Sequence, residues 1–359
     1  MARPRGGSRD TPDASVIVPI YNGEHDLNYF LRSLDDLAGV THEVILVNDG
    51  STDDTGRMLD AFAATKDHVA VIHLSQNGGV AAARNIALER ARGKWVWFVD
   101  VDDGFVPNAL EQLKARAEAT NSDVVLSRLR YQDADGNSLR TLESWPRGNH
   151  VYTGEDAFDM VLRTQVQGYL HPKLFRRALI VHGEQLFPAT KTVSDMAGVA
   201  RLISRAKLVA TLDEQLYYYT RRAGSLITSA NRDVGDAFIV GQAVLEASGA
   251  FEPVDRDRRR MSELLFKYRF VVRVAIGIAG NQQNTDAAKR ALARVRSEIK
   301  LAELLQVALI SPRTGVVGSL PITLGPLYLP IYHAARSLKS ALDGVAGWRD
   351  DCGSDSNGG

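Results

Sequence analysis

The sequence predicts an α/β fold, a sheet with helix-covered faces followed by a mainly helical region. Three observations predict it. Between Ser15 and Ser127, short runs rich in Val and Ile alternate with segments of helical apolar spacing. Several of these runs stop at polar or acidic residues, which is where an open α/β sheet binds its ligand. After Asn231 the strand signals give way to helical ones.

The elements follow in order. A first strand, Ser15 to Ile20, ends in Val18-Pro19-Ile20-Tyr21-Asn22, and a helix spans Leu27 to Leu37. A second strand, Glu43 to Val47, runs into Asn48-Asp49-Gly50-Ser51. The helix Thr55 to Ala64 follows, with Ser51 or Thr52 as its cap and Asp53 and Asp54 in its first turn. The strand Val69 to His73 leads to the turn Gly78-Gly79 and a helix from Val80 to Ala91, closed by Gly93. The strand Trp95 to Val99 runs into Asp100-Val101-Asp102-Asp103. Pro107 suits the first position of a helix reaching Ala119, and Asp123 to Ser127 is a further strand. Such alternation implies a parallel sheet.

From Tyr131 to Thr153 the chain turns polar, with a hairpin turn around Asp133 to Asn137. A mixed region follows to about Ala230, including a strand from Glu214 to Thr220. Helices are then expected at Val234 to Ala247, Arg258 to Ile278, Asp286 to Leu305 and Leu329 to Leu342. The expected division is a disordered 1–14, a catalytic domain over 15–230, a helical region over 231–349 and a disordered tail over 350–359.

Composition excludes some classes. With 43 basic and 43 acidic residues the net charge is zero, so nucleic acid is not expected as a partner. The single cysteine, Cys352, forms no intramolecular disulfide or Cys-rich zinc site, and a cytoplasmic setting is expected. Met1 to Ser15 lacks the apolar core of a secretory signal. Thr314 to Ala335 carries no Asp, Glu, Lys or Arg, but Pro321, Pro326 and Pro330 argue against a spanning helix. It reads as a buried irregular segment. The alternative is a membrane-contacting one flanked by Arg313, Arg336 and Lys339.

The chemistry gathers at the strand ends. Asp49 is placed either to accept a base N–H or to stabilise its turn. Gly78-Gly79 opening a helix favours an anion, and Arg84, about one turn in, can reach a phosphate or base. The three carboxylates of Asp100, Asp102 and Asp103 repel one another unless a cation or solvent relieves them. Mg²⁺ and Mn²⁺ take such oxygen ligands and share them with a diphosphate. Arg221-Arg222 adds positive charge. His171 is a metal ligand or, more simply, a hydrogen-bonding histidine.

Taken together these residues resemble the family-2 glycosyltransferases, inverting enzymes with the GT-A nucleotide-sugar fold. The matching segments are Val16 to Asn22, Val47 to Asp53, Asn77 to Asn85, and Phe98 to Asp103 with Pro107 beyond. Lys173 to Arg177, Ser194-Asp195 and Tyr217 to Ser225 complete a match over Ser15 to Ser229. The resemblance implies that Pro19, Tyr21 and Asp49 line a base pocket, with Asn22 and Arg84 at the nucleotide and Asp100 near the ribose. It implies that Asp102 ligates Mn²⁺ or Mg²⁺ and that Asp195 is the general base. Arg221 and Ser225 would close over the diphosphate. One departure is that Ser194 stands where the family commonly has glutamate, and the aromatic usual after the aspartate is missing; Asp213 and Glu184 are alternative bases.

The implied activity moves a sugar from a nucleotide sugar, UDP-linked, to a glycan or polymer acceptor of the bacterial cell surface. A nucleotidyltransferase fits less well, since no Gly-rich basic loop follows the first strand. A silent scaffold is the other alternative. The helical region matches no motif of the family; it is expected to form a homo-oligomer, bind acceptor or dock on the inner membrane face.

Overall fold

The structure, a computed structural model, describes residues 11–133, 137–141, 144–220, 233–252, 255–282 and 285–334. The expectations of disorder for 1–14 and 350–359 fall almost wholly outside these residues, as do Arg221 and Ser225. By contact the chain groups into two units. One is Met1–Ser229 with Gly235–Phe266; the other is Ala230–Val234 with Lys267–Gly359. The composition change at Asn231 and this grouping differ, because residues 235–266 group with the first unit.

The first unit is built on a ten-stranded sheet among the described residues. Its strands are β1 (Ala14–Ile20), β2 (His42–Asn48), β3 (Val69–His73), β4 (Trp95–Phe98), β5 (Gly104–Phe105), β6 (Val124–Gln132), β7 (Ser138–Thr141), β8 (Val151–Thr153), β9 (Lys173–Arg176) and β10 (Leu208–Thr220). They run in the order β3-β2-β1-β4-β9-β6-β10-β5, with β7 on β6 and β8 on β10. The β3-β2-β1-β4 part is parallel, as the alternation predicts.

Beyond β4 the sheet becomes mixed, because β9 lies antiparallel between β4 and β6. This strand is four residues long, too short to show a period, and its pairing partners lie far away in sequence. Every residue of β1 and β4 is buried, which is why they read as unbroken apolar runs.

Helices α1 (Glu24–Asp35), α2 (Thr55–Ala63), α3 (Val80–Leu88), α4 (Ala109–Thr120), α5 (Gly154–Leu162), α6 (Ser194–Arg205), α7 (Val234–Ser248) and α8 (Arg256–Phe266) complete this unit. Several starts differ from the reading by a few residues. Asn108, not Pro107, precedes α4, and Asp53 caps α2 from outside it by accepting from the Thr55 amide. Trp97 anchors the core beneath the site. It meets Phe105 edge-on at 5.2 Å and donates its Nε1 hydrogen to the His171 carbonyl at 2.8 Å.

The second unit carries a π turn (Lys267–Val272) and helices α9 (Arg273–Gly280), α10 (Thr285–Glu298), α11 (Leu301–Ile310) and α12 (Pro312–Thr323). The expected helix Asp286 to Leu305 is in fact two, parted at Ile299-Lys300. The segment expected to be buried and irregular begins inside α12 instead. Pro312 opens this helix, where a missing N–H costs little, and Pro321 lies inside it, where it removes the hydrogen bond an N–H would make to the Val317 carbonyl. Val316, Val317 and Ile322 on it are exposed. Residues 328–334 are helical; the rest of the expected Leu329 to Leu342 helix lies outside the described residues.

Candidate active site

The carboxyl ends of β1, β2 and β4 form the rim where the sequence placed its polar groups, and two settings of charge lie there. The first is built from loops. Asn22, held at a positive φ of 47°, accepts the Thr52 amide with its side chain and donates its own amide to Ser51 Oγ. Asp53 accepts from the Glu24 amide, and Glu24 accepts from the Asp54 amide. The loops after β1 and β2 are thereby tied together. Gly50, at φ +68°, must be glycine, since a Cβ there would lie 2.5 Å from the Gln76 backbone.

Asp49 is 3% exposed, and its two oxygens accept the Gly78 and Gly79 amides at 2.7 and 2.8 Å. The glycine turn expected to attract an anion has therefore taken Asp49 as its own. Each carboxylate oxygen keeps a further lone pair, so a ligand N–H can still be accepted. Pro19 lies within β1, and Tyr21 is half-exposed beyond its end.

The second setting is a buried charge network. Arg84, on α3 and 1% exposed, donates from Nη1 to Asp195 at 2.5 Å and from Nη2 to Asp100 at 2.9 Å. Expected at the nucleotide, it is instead turned to two acids, one on either side. Asp100 also pairs with His171 Nε2 at 2.8 Å. Burial would raise the Asp100 pKa, but His171 and Arg84 together outweigh it and hold the carboxyl below its usual range. Burial would likewise depress His171, yet Asp100 reverses this and raises it. His171 stacks on Tyr217, with ring centroids 5.0 Å apart.

Asp103 is the opposite case. Burial, reinforced by Asp102 and Asp100, pushes its pKa up to about 8, so at neutral pH it is protonated. Tyr217 Oη donates to Asp103 Oδ2 at 2.9 Å, and the Thr220 amide donates to Oδ1. The repulsion expected among the three acids is thus relieved from within. Asp100 meets two cations, Asp103 keeps its proton, and Asp102 stays partly exposed in the loop before β5.

The network also explains how Asp195 is placed. Asn85, next to Arg84, accepts the Phe187 amide and donates to the Phe187 carbonyl at 2.8 Å. Phe187 in turn packs where a Cβ on Gly198 of α6 would stand 2.3 Å from its ring. Asp195 lies in the first turn of α6, where the helix dipole favours a carboxylate. Val193 just before it has φ 59°, a costly conformation for a β-branched residue that this packing maintains. Asp195 Oδ1 is taken by Arg84; Oδ2 has no hydrogen-bond partner among the described residues. The alternatives are committed elsewhere, Asp213 to Arg128 and the Gly148 amide and Glu184 to Arg205 through both oxygens.

Donor atoms of Asp100, Asp103 and His171 lie within 4.8 Å of one another, a spacing that can hold a metal ion. This trio suits one poorly, because Asp100 is held by Arg84 and His171, and Asp103 by the Tyr217 hydroxyl and the Thr220 amide. Asp102 is the better fit: a partly exposed hard oxygen donor beside a buried cluster whose charges balance. Asp103 and Tyr217 were not singled out as site residues from the sequence. The only signal for Asp103 was its membership in the acidic run, and Tyr217 stood out as part of the strand Glu214 to Thr220.

Comparison with known proteins agrees with this architecture. Residues 15–183 match the profile of Glycosyl transferase family 2. Glycosyltransferase GlyG of Streptococcus pneumoniae is 29% identical over 242 residues, 62% of this chain and 77% of that protein. Poly(ribitol-phosphate) beta-N-acetylglucosaminyltransferase TarS of Staphylococcus aureus is 31% identical over 222 residues, 60% of this chain but 37% of that protein. The crystal structure of TarS 1–349 with UDP-GlcNAc superposes with a TM-score of 0.68 at 21% identity, covering 90% of this chain and 92% of the other. Mannosyltransferase PcManGT from Pyrobaculum calidifontis, solved with GDP-Man and Mn²⁺, matches with a TM-score of 0.51 at 17% identity, covering 91% of this chain and 87% of the other. These likenesses give the fold, a GT-A sheet with a helical C-terminal region.

Proposed function

The chain belongs to glycosyltransferase family 2, and from that premise we propose that it transfers a sugar, with inversion, from a UDP-linked donor to a hydroxyl of a glycan or polymer acceptor. The UDP assignment draws on the ligand of TarS, and an N-acetylhexosamine is the matching sugar. A poly(ribitol-phosphate)-modifying relative is consistent with synthesis of a cell-surface polysaccharide. One observation carries the reading: a single buried guanidinium holds Asp195 and Asp100 together, so a base and a donor-side acid share one fixed frame.

In this reading Asp49, Tyr21, Pro19 and Asn22 receive the base and Asp100 faces the ribose. Asp102 would hold Mn²⁺ or Mg²⁺, and such an ion would supply positive charge to offset the charge developing on the departing nucleoside diphosphate. The reaction itself is one displacement. Asp195 Oδ2 takes the acceptor hydroxyl proton as the acceptor oxygen bonds to the anomeric carbon. The bond from that carbon to the diphosphate oxygen breaks on the opposite face, and nucleoside diphosphate leaves. Arg84 keeps Asp195 from turning away, which supports the alignment that supplies much of the rate.

The test is a panel of nucleotide sugars with Mn²⁺ or Mg²⁺, following release of nucleoside diphosphate. Asp102→Ala is expected to abolish metal-dependent release. Asp195→Ala is expected to bind nucleotide normally by calorimetry and lose transfer, by at least about a hundredfold. Full transfer by Asp195→Ala would reassign the base, and no affinity for any nucleoside diphosphate would leave a binding scaffold.

A further inference from the structure

The second unit carries an apolar face that its own packing does not cover. On α11, Leu301, Leu305 and Leu309 recur every four residues and are 70%, 62% and 87% exposed, so they form one stripe along the helix. The other side of α11 is settled. Leu304 and Val307 are buried there, and α12 approaches so closely that a Cβ on Gly315 would stand 2.5 Å from Ala308 and one on Gly318 2.9 Å from Leu304. The helix cannot roll its leucines inward without losing that fit. Val316, on α12 one turn past Arg313, is a further large apolar residue left 61% exposed. Contiguous apolar surface of this kind marks an interaction site rather than ordinary scatter.

Charge decides what it meets. From Leu304 to Leu342 the sequence contains no Asp or Glu, and its formal charges are Arg313, Arg336 and Lys339. Arg313 is exposed at the turn where the leucine stripe ends, with no ion-pair partner among the described residues. Lys300, at the opposite end of the stripe, has a side chain 71% exposed and lies 3.7 Å from Glu303. Glu303, the nearest acid in sequence to α11's stripe, is occupied by Lys267 at 2.7 Å. A second copy placed on this face would bring like charges to the same surface, with no acid in this stretch to answer them. An anionic lipid surface answers both features at once, since leucines enter the acyl boundary while Lys and Arg meet headgroups. No helix of the described residues is long and apolar enough to cross a membrane, so the contact is a surface one.

We propose that the α11–α12 hairpin is a membrane-surface docking element, seating Leu301, Leu305 and Leu309 in an anionic lipid interface with Arg313 at the headgroups. The proposal goes beyond sugar transfer and does not depend on it.

The experiment is sedimentation of the full chain with vesicles of phosphatidylcholine alone or mixed with phosphatidylglycerol. Binding is expected to the mixed vesicles, to weaken at high salt and to fall at least about tenfold in Leu305→Glu/Leu309→Glu. Arg313→Glu, which leaves the apolar stripe intact, is expected to lower binding to mixed vesicles. Both variants are expected to keep the parent's melting midpoint and its lipid-free donor cleavage. No pelleting with mixed vesicles, or pelleting that the double variant leaves unchanged, overturns the proposal. So does light scattering that shows a dimer dissolved by the double variant without lipid binding, which would assign the face to a second copy. Loss of donor cleavage in lipid-free buffer would bear on the catalytic reading alone.

Discussion

Asp49 and the pair Asp100–Asp195 stand on the same rim and are stabilised in contrasting ways. Asp49 is buried against two neutral backbone amides contributed by a turn. Asp100 and Asp195 share a buried cation supplied by one side chain. The comparison teaches where the site is robust. Amides belong to the backbone and survive any side-chain substitution around them, whereas a buried ion network fails at once when its central charge is removed.

The strongest way to break that contrast is Arg84→Met. It strips two acids of their shared partner and is expected to cost about 3–5 kcal/mol, read as a drop in the urea midpoint. A loss below about 1 kcal/mol would mean that solvent already screens Asp100 and Asp195, and the two settings would then be alike. Asp49→Ala is expected to cost less, about 1–3 kcal/mol, because it leaves the Gly78 and Gly79 amides unpaired without exposing a charge. The same midpoint measures it, and nucleotide affinity should fall with it.

Glu43, away from the rim, sharpens the comparison as an intermediate case. It accepts from the Ser15 hydroxyl, the Arg92 amide and the half-exposed Arg92 guanidinium. Burial would raise its pKa, but these donors outweigh burial and lower it from 4.5. A depressed folded-state value means its stabilisation is present above 4.5 and is lost as pH falls through that lower value. Glu43→Gln should therefore flatten the acid limb of a pH–stability curve, by no more than about 1.5 kcal/mol. An unchanged acid limb would show that Arg92 contributes nothing there.

Much of this was legible in advance. β1, β2 and β4 announced themselves because both faces of central parallel strands are buried, giving unbroken apolar runs. The acids at their ends stood out for the same reason, since a polar residue directly after a buried strand needs an explanation. Less visible were β5 and β9, two and four residues long, which owe their conformation to partners far along the chain. The state of each acid was equally hidden. Asp103 and Asp100 lie three residues apart, yet one is held protonated and the other ionised, because burial beside two other acids acts on the first while His171 and Arg84 reach the second.

The sequence by itself determined which strands form the parallel half of the sheet and which residues crowd its ligand-facing end, since burial pattern and turn chemistry act over a few neighbouring residues. Only the tertiary structure decided how those residues are used. Arg84 and Asp195 are 111 positions apart, and nothing local to either says that they meet. Electrostatic partnership depends on distance and dielectric in the folded molecule, and both are set only when β9, α3 and α6 are brought to one place.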